Sequence, residues 1–193
     1  MQPLEIAGTV LGLLNLWLTI RQNIWCWPVG IACVICFAAV FFQEKLYSDL
    51  LLQFLYIAVQ LYGWWFWLKH GHSGVHSTYK IVALSRAQLL WCSSAIVLCS
   101  LGLGATMANL TNADLPYLDA LPTAISMAAA WMQARKVLQS WLFFILGNVL
   151  FIGIYASKGL YVTIALYVVS TILAAFGYAK WLQSSKNEYT NKL

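Results

Sequence analysis

Residues 17–30 read WLTIRQNIWCWPVG, and residues 131–144 read WMQARKVLQSWLFF. When the sequence is shifted on itself by 114 residues without a gap, the match extends over 17–68 against 131–182, and 11 of the 52 aligned positions are identical. Chance matches between apolar segments would consist mainly of Leu, Val and Ala, but six of the identical pairs are Trp, Arg, Tyr or Gly. The sequence therefore predicts an internal duplication.

The composition is that of a membrane protein. Hydrophobic residues make up 62% of the 193 residues and charged residues only 9%, whereas soluble domains are about 45–50% apolar and about 25% charged. A bilayer core about 30 Å thick needs roughly 20 apolar residues per helix. Apolar segments suited to this length lie at residues 6–20, 24–42, 47–68, 87–107, 117–131, 138–155 and 160–182. We therefore expect an all-α integral membrane protein with seven transmembrane helices.

The basic residues between these segments predict the orientation, because Lys and Arg concentrate in cytoplasmic loops. One side of the predicted bundle carries nine of the eleven basic residues, namely Arg21, Lys69, Lys80, Arg86, Arg135, Lys136, Lys180, Lys186 and Lys192. The other side carries Lys45 and Lys158. The amino terminus is therefore expected outside and the carboxyl terminus in the cytoplasm. The basic residues form no stripe along which a phosphate backbone could lie, which argues against nucleic acid as a partner.

Each copy of the repeat contains three helices, and an odd number would leave the second copy inverted if it followed directly. A fourth, linking helix restores its direction, so the expected layout is 3+1+3 with two parallel repeats. The predicted segments are repeat 1 at residues 5–68, a cytoplasmic loop and linking helix at 69–116, repeat 2 at 117–182 and a cytoplasmic tail at 183–193. Parallel repeats are a transporter architecture, with the substrate site expected near the membrane midplane at the repeat interface.

Short motifs along the chain resemble those of one transporter family. They are RQN at 21–23, WPVG at 27–30, KLY at 45–47, LLQ at 51–53, YGWW at 62–65, ARK at 134–136, KGLY at 158–161 and GY at 177–178, together with Trp141, Asn148 and Trp181. With the 3+1+3 layout, which is similar to that of the SWEET transporters, the chain resembles the PnuC vitamin transporters. This resemblance implies facilitated diffusion of nicotinamide riboside, or of thiamine or riboflavin, with trapping by a cytoplasmic kinase. It also suggests a homotrimer.

Polar side chains within the apolar segments are candidates for a substrate site, because an unpaired polar group in hydrocarbon is costly. A flat aromatic cation needs rings to stack on, worth up to about 2 kcal/mol each when desolvated, and neutral amides that bind its edge. The predicted substrate-binding residues are Gln53, Tyr56, Gln60 and Trp64 on one face of the third helix, with Thr123, Asn148, Tyr167 and Thr171 from the second repeat. The alternative for the amides is hydrogen bonding between helices.

Tryptophan and glycine positions near the ends of the predicted spans suggest packing roles. Trp is enriched at membrane interfaces, so we expect five tryptophans to form interfacial belts. These are Trp17, Trp27, Trp67, Trp141 and Trp181. Gly63 and Gly177, which are identical between the repeats, are expected to allow close approach of helices.

Two other classes of function compete with transport. A membrane enzyme would need convergent His, Asp or Cys side chains, but the three histidines, His70, His72 and His76, share one loop. Metal binding by this loop is conceivable from the spacing, although a solvated loop is the expectation. The remaining alternative is a scaffold or receptor that transports nothing. We expect neither an enzyme nor a bound metal or cofactor.

The sequence also indicates a transport mechanism and a preferred substrate. Asp49 and Asp119 lie toward the predicted outer surface rather than at mid-membrane, and the chain has no Gly-rich ATP-binding loop. Uniport without ion coupling is therefore the expectation. Nicotinamide riboside is the preferred substrate and thiamine the close alternative, because both are aromatic cations that stack on the same rings.

Overall fold

The computed structural model describes residues 3–43, 47–70, 80–110, 116–157, 159 and 161–190. Over these residues the chain forms helices joined by short turns, and the described part contains no β-strand beyond one isolated bridge. The helices are α1 (Pro3–Ile20), α2 (Cys26–Gln43), α3 (Tyr47–His70), α4 (Arg86–Leu110), α5 (Pro116–Ala134), α6 (Ser140–Ser157) and α7 (Tyr161–Thr190). Each overlies one predicted apolar segment, which confirms the all-α prediction for the described residues.

Six of the described helices, all except α5, are long and apolar enough to cross a membrane. The length of α5, 19 residues, is sufficient, but Asp119, Thr123 and Gln133 lower its hydropathy. Such side chains are tolerated within a bilayer where they face protein or a water-filled cavity rather than lipid. The composition of α5 is therefore that of a helix with one face turned away from lipid.

The chain divides into two compact units, Met1–Lys80 and Ile81–Leu193. In the first unit, α2 packs against both α1 and α3. In the second unit, α6 packs against both α5 and α7, and α4 packs against α5. The middle helix of each predicted repeat therefore contacts both of its neighbours, and the linking helix α4 belongs to the second unit.

The turns that follow α1 and α5 have the same backbone conformation. Gln22 has φ 55° and Lys136 has φ 52°, and the two residues are 114 positions apart. The backbone N–H to carbonyl pairs are Gln22 to Thr19, Asn23 to Leu18, Lys136 to Gln133 and Val137 to Met132, at 2.9–3.0 Å. This pattern is the Schellman motif, which satisfies the last carbonyls of a helix. The backbone thus repeats at the spacing at which the sequence repeats.

Four of the five tryptophans assigned to interfacial belts are instead buried. Trp27 meets Trp67 edge to face, with ring centroids 5.2 Å apart and planes at 85°. Trp141 meets Trp181 in the same way, at 5.3 Å and 88°. The belt prediction is wrong for these four residues, because an indole near a helix end also packs well in a core when a partner ring offers its face. Trp17 is 47% exposed and keeps the belt assignment.

Glycines make room for the buried tryptophans. Gly63 lies so close to the Trp27 ring that a Cβ at this position would overlap the ring. A Cβ at Gly177 would lie 2.7 Å from the Trp141 ring. Gly63 and Gly177 therefore allow the last helix of each unit to approach the middle helix, as predicted.

The segment before α4, residues 81–85, is bound along the α5–α6 turn and is called the strap below. Two backbone hydrogen bonds join strap and turn: Val82 N–H to the Lys136 carbonyl at 3.1 Å, and Leu138 N–H to the Val82 carbonyl at 2.9 Å. The Gln139 side chain adds a second connection, since its Oε1 accepts from Leu84 N–H at 3.0 Å and its Nε2 donates to the Leu84 carbonyl at 3.4 Å. The start of α4 is thereby tied to the second unit.

Replacing Gln139 by leucine is expected to loosen the strap. The change removes both hydrogen bonds to Leu84, each worth about 1 kcal/mol, so the thermal unfolding midpoint should fall by about 2–6 °C. Limited trypsin digestion should also cut faster at Lys80 and Arg86. A Gln139→Glu control keeps the acceptor for Leu84 N–H, so its unfolding midpoint and cleavage rate should lie between those of the wild type and of Gln139→Leu. An unchanged midpoint and cleavage rate would show that the backbone bonds alone hold the strap.

Candidate functional site

The polar stripe predicted on the third helix is present on α3. Its members, each half-buried, are Gln53, Tyr56, Gln60 and Trp64. Residues three and four apart lie on the same face of a helix, so the first unit brings these four together along one line. The carboxamide of Gln60 lies against Gly30 of α2, where no space is left for a Cβ. Because Gly30 has no side chain, the amide can occupy this space.

The contact between Gln60 of α3 and Gly30 of α2 forms one layer of the first unit. Along α2, a different kind of contact lies about one helical turn away in each direction. One helical turn nearer the α1–α2 turn, Trp27 packs against α3. One turn farther along α2, the Cys33 thiol donates a hydrogen bond to the Gly8 carbonyl of α1 at 3.2 Å. Along α2, the position that contacts the amide therefore lies between a tryptophan that packs on α3 and a cysteine that is hydrogen-bonded to α1.

At the positions equivalent to Gly30 and Gln60, the second unit has a large residue in place of the small one and a small residue in place of the large one. Phe144 stands 114 residues after Gly30, and the buried Ala174 stands 114 residues after Gln60. The large side chain therefore comes from α3 in the first unit and from α6 in the second. One unit offers an amide at this layer and the other offers a phenyl ring, so the two repeats differ in what they can bind.

Asn148 lies four residues after Phe144 on α6, and both side chains are half-buried. The spacing places them on one face of the helix. The residue equivalent to Asn148 in the first unit is Val34, which is buried and apolar. Beside Asn148, Gly147 lies close to α5, where a Cβ would come within 3.0 Å of the Ser126 hydroxyl. The close contact with α5 is made by Gly147, whereas Asn148 lies seven residues after Trp141, whose ring meets Gly177 of α7, so helical spacing places the amide on the face toward α7.

Thr123 and Thr171 are half-buried, and their hydroxyl groups donate hydrogen bonds within their own helices. Thr123 donates to the Asp119 carbonyl at 2.8 Å, and Thr171 donates to the Tyr167 carbonyl at 2.7 Å. Because each hydroxyl has one proton and two lone pairs, these oxygens can accept a hydrogen bond from a ligand but have no second proton to donate. Both are suited to bind hydroxyl groups.

Tyr167 belongs to a three-ring cluster that joins α6 and α7. Its ring centroid lies 5.1 Å from that of Phe151 and 5.4 Å from that of Tyr155. Phe151 is three residues after Asn148, so Tyr167 lies about one helical turn beyond the amide. The structure therefore places Tyr167 in an aromatic layer adjacent to Asn148 rather than in the same layer.

Four buried polar atoms have no hydrogen-bond partner in the described part of the chain: Trp27 Nε1, Gln133 Nε2, Ser140 Oγ and Trp141 Nε1. Leaving such an atom unpaired costs about 1–3 kcal/mol, so each is a candidate donor or acceptor for a ligand. Gln133 is one of the polar residues of the fifth predicted helix, but neither Gln133 nor Ser140 is among the predicted substrate-binding residues, and both tryptophans are predicted to lie in interfacial belts. The repeated Trp at the start of α2 and α6 was the only signal for them.

No group of His, Cys, Asp or Glu within the described residues could hold a metal ion. The ring of His70 stacks on Phe66 with centroids 4.3 Å apart, and its Nδ1 lies 2.9 Å from the Phe66 carbonyl oxygen. His72 and His76 lie outside the described residues. Metal binding by the histidine loop therefore stays an untested alternative.

Known proteins match this chain along nearly its whole length. Residues 2–183 match the family described as nicotinamide mononucleotide transporter. The nicotinamide riboside transporter PnuC of Escherichia coli (strain K12) is 26% identical, covering 98% of this chain and 89% of that protein. The riboflavin/roseoflavin transporter RibM of Streptomyces davaonensis is 23% identical, covering 95% and 86%. The crystal structure of the vitamin B3 transporter PnuC has a TM-score of 0.79 at 25% identity, covering 95% and 82%.

These matches confirm the predicted resemblance to PnuC transporters, and they confirm a transporter rather than an enzyme. They agree with the helical architecture, since six described helices can cross a membrane and the matching crystal structure is of a transporter with a similar fold. The chain therefore belongs to the nicotinamide mononucleotide transporter family and is a multi-pass inner-membrane transport protein.

Proposed function

We propose that this protein takes up nicotinamide riboside by facilitated diffusion. The observation that carries the proposal is a half-buried carboxamide in each unit, Gln60 against Gly30 in the first unit and Asn148 on α6 in the second. A side-chain amide presents two donors and one acceptor group, which complements the carboxamide on a nicotinamide ring. The printed name of the Escherichia coli relative supports the same substrate.

The remaining predicted site residues supply the other contacts that this substrate needs. Tyr56 and Trp64 offer ring faces, and a desolvated aromatic cation gains up to about 2 kcal/mol from each such face. The Thr123 and Thr171 oxygens, whose protons are used within their helices, can accept from ribose hydroxyls. Gln53 adds a further amide in the first unit, and Tyr167 adds an aromatic ring in the second. A neutral site of this kind binds the cation weakly enough to release it on the other side.

The proposed architecture is seven spans in a 3+1+3 arrangement, with residues 5–68 and 117–182 as parallel repeats and 69–116 as the link. Three local geometries that recur at a spacing of 114 residues support it: the Schellman turns, the tryptophan pairs, and an arginine stacked on a tryptophan at each turn. The nine-to-two distribution of basic residues supports an outside amino terminus and a cytoplasmic carboxyl terminus.

Uptake is proposed to proceed without ion coupling. Glu5 and Asp119 lie in the first turns of α1 and α5, at helix ends rather than at mid-membrane, where a proton relay would need them. Net uptake then depends on consumption of the product, and phosphorylation by a cytoplasmic kinase would add the charge that prevents return. Assembly as a homotrimer is proposed from the family resemblance.

Riboflavin is the second candidate substrate, because the Streptomyces davaonensis relative is named a riboflavin/roseoflavin transporter. The isoalloxazine ring also has a polar edge that amides can bind, but it carries no positive charge. Thiamine stays the cationic alternative, since ring stacking and neutral amides accommodate either aromatic cation.

Titration calorimetry of the purified protein with the three vitamins tests this proposal. We expect nicotinamide riboside to bind at least about tenfold more tightly than thiamine or riboflavin. In proteoliposomes, only nicotinamide riboside should drive counterflow of the labelled compound, with or without proton and sodium gradients. Tight binding of thiamine or riboflavin in its place would overturn the substrate assignment while leaving the transporter class intact. Dependence on either gradient would overturn uniport.

A further inference from the structure

Two of the unpaired buried polar atoms lie where the chain turns from α5 into α6. Gln133 is in the last turn of α5, and Ser140 is the first residue of α6. The Ser140 side chain is completely buried, and neither its Oγ nor Gln133 Nε2 has a hydrogen-bond partner in the described part of the chain. Because an unpaired buried hydroxyl or amide is costly, these two groups point to a bound partner.

Helical spacing places the two side chains opposite each other. Farther from the turn, α5 and α6 meet where a Cβ at Gly147 would come within 3.0 Å of the Ser126 hydroxyl. Gln133 lies seven residues after Ser126, and Ser140 lies seven residues before Gly147. Seven residues are close to two turns, so each step stays on one face of its helix. Since helices joined by a short turn run antiparallel, both steps lead toward the turn, and Gln133 faces Ser140.

The two helices are closed around this pair. Ala129, one turn before Gln133 on the same side of α5, is completely buried. The backbone of both residues is bonded within the turn: Lys136 N–H donates to the Gln133 carbonyl at 3.0 Å, and Ser140 N–H donates to the Val137 carbonyl at 3.1 Å. A partner for the two side chains must therefore be small enough to fit inside a closed helix pair.

The pair is specific to the interface between α5 and α6. The ring of Trp141, whose Nε1 is also unpaired, meets Gly177 and therefore faces α7. In the first unit the equivalent residues are Thr19 and Cys26, and the Thr19 hydroxyl donates to the Asn15 carbonyl at 2.8 Å within α1. The unpaired amide and hydroxyl are therefore a property of the second unit rather than of the repeat.

We infer that one water molecule is bound between α5 and α6 and bridges Gln133 Nε2 and Ser140 Oγ. The amide N–H donates to the water oxygen, and the water donates one proton to the serine oxygen. A carbonyl of the last turn of α5 can accept the second proton, since each carbonyl oxygen has two lone pairs. Three bonds of this kind are usual for a buried water. The site does not depend on which vitamin is carried.

The unfolding midpoints of Ser140→Ala and Gln133→Leu test the bridge, because a bonded group and an unpaired group predict opposite signs. With the water bound, each substitution removes one of its hydrogen bonds, so the midpoint should fall by about 2–6 °C. The double variant should lose little more than either single variant, since the second substitution removes the group that the first left unpaired. A raised or unchanged midpoint in both single variants would overturn the inference, because removing an unpaired buried group relieves its desolvation cost.

The matched control is Ser100→Ala, since Ser100 is a buried serine whose hydroxyl donates to the Val97 carbonyl at 2.9 Å within α4. Its loss should change the midpoint by less than about 2 °C, because this kind of bond within a helix adds little stability. A fall in the control as large as that of Ser140→Ala would overturn the inference, since any buried serine would then behave alike.

A crystal structure at a resolution that shows ordered waters provides a second measurement that does not depend on the variants. We expect one density peak within hydrogen-bond distance of both Gln133 Nε2 and Ser140 Oγ. A direct bond between the two side chains, or no peak between them, would overturn the inference. Replacing chloride by gluconate should leave the wild-type midpoint unchanged, whereas a fall of several degrees would identify a bound chloride in place of the water.

Discussion

Nicotinamide riboside transport is expected to fall about 10- to 100-fold in kcat/KM when Asn148 or Gln60 is replaced by leucine. Each replacement removes a hydrogen bond between a half-buried amide and the substrate and leaves a polar group of the substrate unpaired, at a cost of about 1–3 kcal/mol. The leucine side chain has a similar volume, so packing around the half-buried positions should persist. Initial rates of uptake into proteoliposomes and calorimetric affinities measure the effect. Affinity and rate should fall together.

Two further variants sharpen this prediction. Asn109→Leu is the matched control, since Asn109 is exposed on α4 and its amide donates to the Ala105 carbonyl of the same helix at 2.7 Å. It should transport normally. Gly30→Ala leaves Gln60 intact but places a Cβ where the Gln60 amide lies, so it should reproduce the binding defect of Gln60→Leu. If Gln60→Leu and Asn148→Leu bind nicotinamide riboside as tightly as the wild type, the amides are structural.

The largest loss of stability is expected from alanine at Gly63 or Gly177. In both cases the new Cβ meets the ring of a buried tryptophan, Trp27 or Trp141. A rigid indole in a closed core can move only by disturbing its neighbours, and overpacking of this kind costs about 1–3 kcal/mol. The unfolding midpoint of each variant should fall by about 3–10 °C, and that of the double variant by more. Thermal denaturation in detergent, followed by tryptophan fluorescence, measures the change.

Substitution by alanine is expected to raise stability, rather than lower it, at a glycine that has open space around it. Gly102 lies within α4 and is exposed, and no heavy atom lies within 4 Å of a Cβ built there. Alanine at this position should stabilise the helix by up to about 1 kcal/mol, because glycine has a low helix propensity. Destabilisation by Gly102→Ala equal to that of Gly63→Ala would show that helix glycines are sensitive for a reason other than the tryptophan contacts.

The helices, the duplication and the family could be predicted from the sequence, because each depends on a local or linear pattern. Apolar runs of membrane length are bounded by short polar connections, and the shift of 114 residues is visible without any structure. The structure repeats the same spacing in backbone dihedrals at Gln22 and Lys136. The polar stripe of α3 was also predictable, since helical periodicity alone places Gln60 and its neighbours on one face.

The environment of individual side chains could not be predicted in the same way. Trp27 and Trp17 both lie near helix ends and both suit an interfacial belt, yet the first is buried and the second exposed. The difference arises from the packing of α3 against α2, which brings Gly63 opposite Trp27. Helical periodicity shows which residues share a face, but it does not show which faces meet.

The sequence alone determined that this protein is a duplicated, multi-helix membrane transporter, because hydropathy, charge placement and repetition are properties of the chain itself. Only the tertiary structure decided that the Gln60 carboxamide lies against Gly30, and that Trp27 and Trp141 are buried against Gly63 and Gly177. The physical reason is that the space filled by a packed side chain is a gap between two helices. Its shape depends on how closely their backbones approach, which no single helix specifies.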